Sequence, residues 1–316
     1  MTPRFVRDEV EIQEQADQFI TAVNTEKEDF MPHVFNTDQS GFNYEMHTGR
    51  TLAVKGSSQI TALVQSEGAT AHSYTIQPMI RADGTLYPIL FLCLQERNGQ
   101  FPNNPREHIV QYNNIYLKCS PSGKLVKDLI KGWFEDVFFP EVHRISSKSA
   151  MLLHDAWPGF KNLGIKEGLV IDLKVIPPKT TEMIQPLDVF FFRPWKVFVR
   201  YISDHIVLMD INVSLLQRNN IIKLQSLVHF QFSAERYKVM IRYAWLKAGY
   251  AVDRDDVVFL TPATFCFNTR PTHECFDCLK IEQEKQSVFA RCSHCDNYYC
   301  FNHFFIPDDP QSYHKC

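Results

Sequence analysis

The sequence predicts an α/β fold followed by a short metal-stapled C-terminal module, and three observations carry that expectation. The run Gly168-Leu-Val-Ile-Asp-Leu-Lys-Val-Ile176 reads as a strand that stops at Pro177-Pro178. After a polar loop, Thr180 or Thr181 is placed to cap a helix whose first turns carry Gln185, Pro186 and Asp188. Six of the nine cysteines fall within the last 42 residues. In a chain without secretory features, that spacing points to metal rather than to disulfides.

A carboxylate near the start of a helix that follows a strand points toward the strand's end, where open α/β sheets keep their sites. Two further aspartates repeat the pattern. Asp38 lies in Phe35-Asn-Thr-Asp-Gln-Ser-Gly-Phe42, and Asp155 in Ala150-Met-Leu-Leu-His-Asp-Ala-Trp-Pro-Gly159. Each follows a short apolar run and precedes turn-forming residues, although an Asp before Gln-Ser-Gly is also an ordinary turn residue. Three carboxylates meeting at one sheet edge can hold hard divalent cations through oxygen, the chemistry used for phosphoryl transfer.

The strings NTDQSGF, LLHDAWPG and IPPKTTEMIQPLDVFFFRPWK resemble the three signature segments of the DDE/D transposase catalytic domain, in the mariner/pogo group with its Tigger-like, centromere-protein-B-like members. The 32 residues between Asp155 and Asp188 suit that group, as does an aspartate as third acid. Lys55–Val64 and Gly84–Leu90 resemble its second and third strands. The resemblance covers roughly residues 30 to 250. It implies an RNase H-like α/β domain, with a mixed five-stranded sheet flanked by helices. It implies Asp38, Asp155 and Asp188 as catalytic residues holding two Mg²⁺ or Mn²⁺ ions about 3.5–4 Å apart. It also implies DNA as partner, a homodimer, a nuclear location, and phosphate contacts from Lys179, Lys196 and Arg193. Members of the group often carry His where this chain has Phe160, so the resemblance carries no histidine role over to that position.

Along the chain, residues 1–30 read as a linker remnant and a helix over about 9–24, with Ile12, Ala16, Phe19, Ile20 and Val23 on one face. Residues 31–255 form the expected catalytic domain. Strands are expected over about 33–38, 43–55, 59–64 or 72–80, 89–94 and 109–117, and a helix over about 124–139. Met151–Leu153 reads as a buried strand ending at His154-Asp155, with His154 either an assistant to chemistry or a packing residue. Two later helices are expected over about 206–226 and 232–248, the second closed by Gly249. Asp253, Asp255 and Asp256 read as solvated, and Cys93, Cys119 and Cys266 as core thiols.

The tail, residues 270–316, offers Cys275-x2-Cys278, thirteen residues, Cys292-x2-Cys295-x4-Cys300-x2-His303, ten residues, then His314-x-Cys316. Eight ligands in four pairs suit two structural Zn²⁺ ions. The order resembles the AN-one type cross-brace finger, which implies that pairs one and three share an ion and pairs two and four the other. His273 and His294 are rival ligands. Such a module docks a protein or DNA and unfolds on chelation.

Net charge is −3 and pI about 6.5. A chain whose main task is gripping DNA is usually basic, so this balance argues against a strong autonomous DNA binder. Residues 193–247 nevertheless hold nine Lys/Arg against three acids. That surplus is either a DNA-facing patch or a solvated helix face. No run approaches the roughly 18 apolar residues a membrane helix needs, and the acidic, polar first thirty residues do not resemble a signal peptide. The expectation is a soluble, intracellular protein with no membrane contact. The alternative to an enzyme is a domesticated, non-catalytic transposase descendant acting through its zinc finger.

Overall fold

The computed structural model describes residues 3–46, 73–102, 108–145, 147–160, 167–252, 258–281, 286–306 and 313–316. A mixed sheet with helices on both faces forms the main body. Its strands are β1 (Val34–Thr37), β2 (Ser40–Asn43), β3 (Ser73–Gln77), β4 (Met79–Arg81), β5 (Leu90–Gln95), β6 (Ile115–Ser120), β7 (Ser149–His154) and β8 (Val170–Val175). Hydrogen bonding gives the orders β4-β1-β7-β8 and β2-β3-β5-β6.

These two stretches are one sheet interrupted at a single point. Thr37 opposite Met79 and Ser40 opposite Ile76 share one antiparallel register, so Asp38 lies opposite Pro78 across the break. Proline has no N–H to give the ladder, and pairing stops where the first acid sits. With the broken strands joined, the order is β6, β5, β3/β4, β1/β2, β7, β8, with β1, β7 and β8 parallel. This is the expected RNase H-like arrangement, extended beyond five strands by β6.

Strand alternation sorts the core into two layers. Leu90, Leu92 and Leu94 of β5 face one layer, while Phe91 and Cys93 face the other. The second layer is closed by α2 (Lys127–Trp133), a π-type turn (Phe134–Phe138) and α3 (Phe139–Arg144), whose aromatics stack on Phe35 and one another. The first is closed by α5 (Phe192–Leu208), α6 (Arg218–Phe232) and α7 (Lys238–Lys247). Helix α1 (Pro3–Glu26) buries Ala16 and Val23 there, the face its periodicity predicted.

Several boundaries differ from expectation. Gly84–Leu90 is not a strand: Gly84, at φ +93°, turns the chain, and pairing proper starts at Leu90. The 109–117 strand starts only at Ile115. One helix ends at Leu208, next to Asp210 in the left-handed region, and the next begins at Arg218; the expected helix over 206–226 is thereby split. Residues 47–55 of the expected strand over 43–55, the expected strand over 59–64, and Asp253, Asp255 and Asp256 lie outside the described residues. Gly249 does close α7. Its N–H bonds Leu246 O and that of Tyr250 bonds Trp245 O, at φ +93°, the pairing a glycine after a helix end permits.

The buried His229 on α6 fastens this helix to the sheet edge. Its Nε2–H donates to Tyr87 O at 2.8 Å, so Nδ1 is the acceptor for Asn114 Nδ2 at 3.3 Å. Burial holds the ring neutral, lowering its pKa from 6.5 to about 4. The unfolded chain protonates first, so stability from this group is complete above pH 6.5 and declines as pH falls. By pH 4 the loss from His229 is roughly 3 kcal/mol. Urea midpoints between pH 7 and pH 4 are expected to fall less steeply in His229→Gln than in the parent chain.

Candidate active site and metal centres

The break opposite Pro78 leaves Asp38 at the end of β1, buried. Parallel pairing of Val34, Phe35 and Asn36 with Met151, Leu152 and Leu153, carried on two residues, brings Asp38 beside Asp155. Asp188 arrives from a different direction. A single turn, α4 (Thr181–Ile184), ends at Gln185, whose extended backbone (ψ 110°) follows from the clash a proline imposes on the residue before it. The chain restarts at Leu187 as a π-type turn (Leu187–Phe191) that carries Asp188 and runs into α5. Neither threonine caps a continuous helix. Thr180 Oγ1 instead donates to Pro177 O at 2.7 Å and tightens the Pro-Pro turn.

The three aspartates therefore lie along one sheet edge, and the three carboxylates do not close within 4.8 Å of one another as the tail ligands do. The Asp38 and Asp188 carboxyls are in hydrogen-bond contact, and Asp155 acts on both through its charge. Burial, then the neighbouring Asp188 charge, pushes the Asp38 carboxyl well above the usual range; burial also raises Asp155 and Asp188. Without a cation, such a pair is stable only if it shares a proton. An all-oxygen donor set of this charge fits a hard divalent ion, whose field would release that proton.

Asn36 aligns all three. Its Nδ2 donates to Leu153 O at 3.1 Å, two residues before Asp155, and its Oδ1 accepts from Leu187 N at 3.2 Å, one before Asp188. Asn36 itself is two residues before Asp38 and is fully buried. Sequence reading missed it, though a polar residue inside the apolar Val34-Phe-Asn-Thr run was a visible signal. Gln185, three residues before Asp188, has a fully buried amide with both polar atoms unpartnered among the described residues.

The other candidates are distributed unevenly. Lys196, half-buried on α5 with its ammonium 5.5 Å from the Phe42 ring centre, interacts with the Asp188 and Asp38 charges; it belongs to the carboxylate cluster. A cleft of about 180 Å³, lined by Gly41, Asn43, Glu45, Met46 and Lys196, leads away from it along β2. Lys179, at φ +70°, and Arg193 are exposed. His154 is a packing residue: its ring stacks on Phe160 at 4.4 Å and Nδ1–H donates to Asp155 O at 2.7 Å.

In the tail, Cys275, Cys278, Cys300 and His303 converge, as do Cys292, Cys295, His314 and Cys316, within 4.8 Å in each group. Pairs one and three thus meet, and pairs two and four. The ligand separations run from 3.2 Å for Cys275–His303 to 3.9 Å for Cys278–Cys300, with 3.4 Å for Cys292–Cys316 and 3.6 Å for Cys295–His314, within a few tenths of an ångström of the roughly 3.5–3.8 Å edges of a tetrahedron with Zn–S near 2.3 Å and Zn–N near 2.0–2.1 Å. The rivals are occupied elsewhere. His273 stacks on Tyr298 at 3.8 Å, and His294 lies on Phe230 with Nε2–H donating to Phe230 O.

This module is packed onto α6. Gln231 Nε2 donates to Cys292 Sγ at 3.6 Å while Gln231 Oε1 accepts from Ser293 N at 2.7 Å. Ser293 Oγ meets Tyr237 OH and Cys266 Sγ, and Tyr313 OH donates to Ser226 O. Its aromatics and thiols continue the first core layer. Cys93, Cys119 and Cys266 are buried as expected.

Residues 90–245 match the DDE superfamily endonuclease family, a stretch that contains Asp155 and Asp188 and starts after Asp38. Residues 245–316 match the Tc5 transposase C-terminal domain. A human protein, "Pogo transposable element with KRAB domain", is 24% identical over 170 residues. These make up 52% of this chain and 26% of that protein. Among solved structures, the Mos1 mariner paired end complex with Mn aligns with a TM-score of 0.43 at 10% identity, over 80% of this chain and 65% of that one. A pre-cleavage Mos1 transpososome aligns at 0.39 and 8% identity, over 77% and 64%. Both structural likenesses are distant.

Two outcomes follow. Asn36→Ala, which leaves the buried Leu187 N–H and Leu153 C=O without this partner, is expected to lower stability by roughly 2–5 kcal/mol in urea unfolding. Strong chelation is expected to lower the melting temperature of the whole chain in one transition, not to melt a tail alone, because the Cys292 site is bonded to α6. Calorimetry with and without chelator reads this directly.

Proposed function

Because the chain belongs to the DDE transposases of the mariner/pogo group, we propose that it is a metal-dependent DNA endonuclease and strand transferase. The observation that carries this is the convergence of Asp38, Asp155 and Asp188 at the break in the sheet, with two carboxyls in contact. In this proposal the three carboxylates hold two Mg²⁺ or Mn²⁺ ions. When bound, those ions activate the attacking water or DNA 3′-hydroxyl and stabilise the leaving oxygen.

The chain's own residues do the rest. Asn36 holds the three backbones so that the carboxylates face one point, a form of preorganisation. Lys196 offsets the local negative charge and is positioned to meet a DNA phosphate, with Lys179 and Arg193 as outer contacts. His154, held in place by Phe160 and Asp155 O, takes no proton from the nucleophile. The eight tail ligands hold two structural Zn²⁺ ions, since four filled positions leave none for a substrate. DNA is the partner, a second copy of the chain completes the assembly, and the site of action is the nucleus. No helix among the described residues is long and apolar enough to cross a membrane.

The test is nicking of a labelled duplex in Mg²⁺ or Mn²⁺. Asp155→Ala and Asp188→Asn are expected to reduce the rate by roughly 100-fold or more while leaving the fold intact by circular dichroism. Absence of metal-dependent nicking by the folded, zinc-loaded parent would sink this proposal in favour of a non-catalytic descendant acting through its zinc module.

A further inference from the structure

A second polar cleft lies where the zinc-binding module meets the helix α8 (Pro262–Cys266), away from the carboxylates. It encloses about 150 Å³ and is lined by Leu260, Thr264, Asn268, Arg270, His273 and Arg291, together with the rings of Phe265 and Tyr298. Its polar lining can donate hydrogen bonds throughout, and no acid lines it among the described residues. His273 Nδ1 accepts from the Arg270 N–H at 3.0 Å, which leaves the ring proton on Nε2. Arg270 is exposed, and its guanidinium makes no hydrogen bond or ion pair among the described residues.

The back of the cleft is rigid. Arg236 and Arg291 lie on the Phe265 ring at 4.1 and 4.5 Å, and Arg291 reaches Tyr298 at 5.5 Å. His273 stacks on the same Tyr298 at 3.8 Å. One acid, Asp296, is shared by both arginines, with contacts of 2.7 and 3.3 Å, so the pair keeps a net positive charge. Fixed guanidinium planes with an open donor rim are the geometry that recognises phosphate.

The cleft is also connected to the carboxylates. Phe259, next to Leu260 in the chain, packs on Phe190 at 5.9 Å, and Phe190 is two residues from Asp188 on the same turn. One ring contact and a few chain steps bound the separation of the two sites at about 20 Å, a span of no more than about six base-pair steps along a duplex.

We propose that the cleft formed by Arg270, Arg291, His273, Thr264 and Asn268 binds a backbone phosphate of duplex DNA, so that the zinc-binding module clamps the same duplex that reaches the carboxylates a few base-pair steps away. Binding here is separable from cutting. The module would grip DNA whether or not the three aspartates are active.

Fluorescence anisotropy of the zinc-loaded full chain with a labelled duplex of about 30 base pairs, titrated across salt concentrations, tests it. Arg270→Ala is expected to weaken binding about 3–10-fold and to make the log–log salt slope shallower by about 0.9. Arg270→Glu should weaken it further and Arg270→Lys should restore the slope. The anisotropy assay reads binding without cutting, which separates this result from the nicking assay. Unchanged affinity and slope in both Arg270→Ala and Arg270→Glu would overturn the proposal. So would an Arg270 effect confined to a poly-glutamate peptide, which would assign the cleft to an acidic protein partner instead.

Discussion

The candidate site depends on the two hydrogen bonds of Asn36. Its amide bridges β7 and the turn that starts the Asp188 helix, and its own backbone carries Asp38 two residues on. Three acids from segments far apart in sequence are thereby brought to one sheet edge, Asp38 buried, Asp155 half-buried and Asp188 open to solvent. The helical turn at Leu187 is left short of N–H partners by the break at Gln185-Pro186, and Asn36 satisfies its first donor from another strand. The same bond that completes a helix end thus sets the third carboxylate against the first. The cost of that arrangement is electrostatic: Asp38 is buried beside Asp188 and its carboxyl is forced toward protonation. Two like carboxyls in contact share a proton until a cation takes its place.

Helix α6 transmits order from this centre to the zinc-binding module. On one side Gln225 accepts from Trp195 Nε1 and donates to Tyr74 OH, tying α5 to the sheet. On the other, Ser226, Phe230 and Gln231 meet Tyr313, His294 and Cys292. A module too small to build a core of its own is therefore doubly supported, by its ligand clusters and by a helix of the larger body.

Charge is used mostly inside the molecule. The basic surplus over 193–247 is not a continuous DNA-facing stripe. Arg218 pairs with Glu96, Arg236 with Asp296, Lys238 with Glu235, Arg242 donates to Asp83 O, and Lys223 and Lys247 lie on aromatic rings. With these cations engaged, the phosphate contacts proposed above rest on Lys196 and on outlying groups such as Lys179, Arg193 and Arg270.

Much of this was legible in sequence, and for local reasons. The Pro177-Pro178 stop, the turn residues after Asp38 and Asp155, and the spacing of the paired ligands are short-range features that a chain expresses wherever it folds. The break at Gln185 belongs with them, since Pro186 imposes it on its neighbour, although the sequence was read as one helix there. Tertiary structure alone decided the rest. It aligned Pro78 against Asp38, so that the sheet opens where the first acid lies. It gave Asn36 partners more than a hundred residues away, excluded His273 and His294 from the metal clusters by stacking them on other rings, and engaged six of the nine cations over 193–247 with acids, a carbonyl or aromatic rings. Sequence by itself determined which residue types stand at which turns. Which of them meet was set by strand register and helix docking, because a hydrogen bond reaches only about 3 Å and its partner is chosen by the packing of the whole chain.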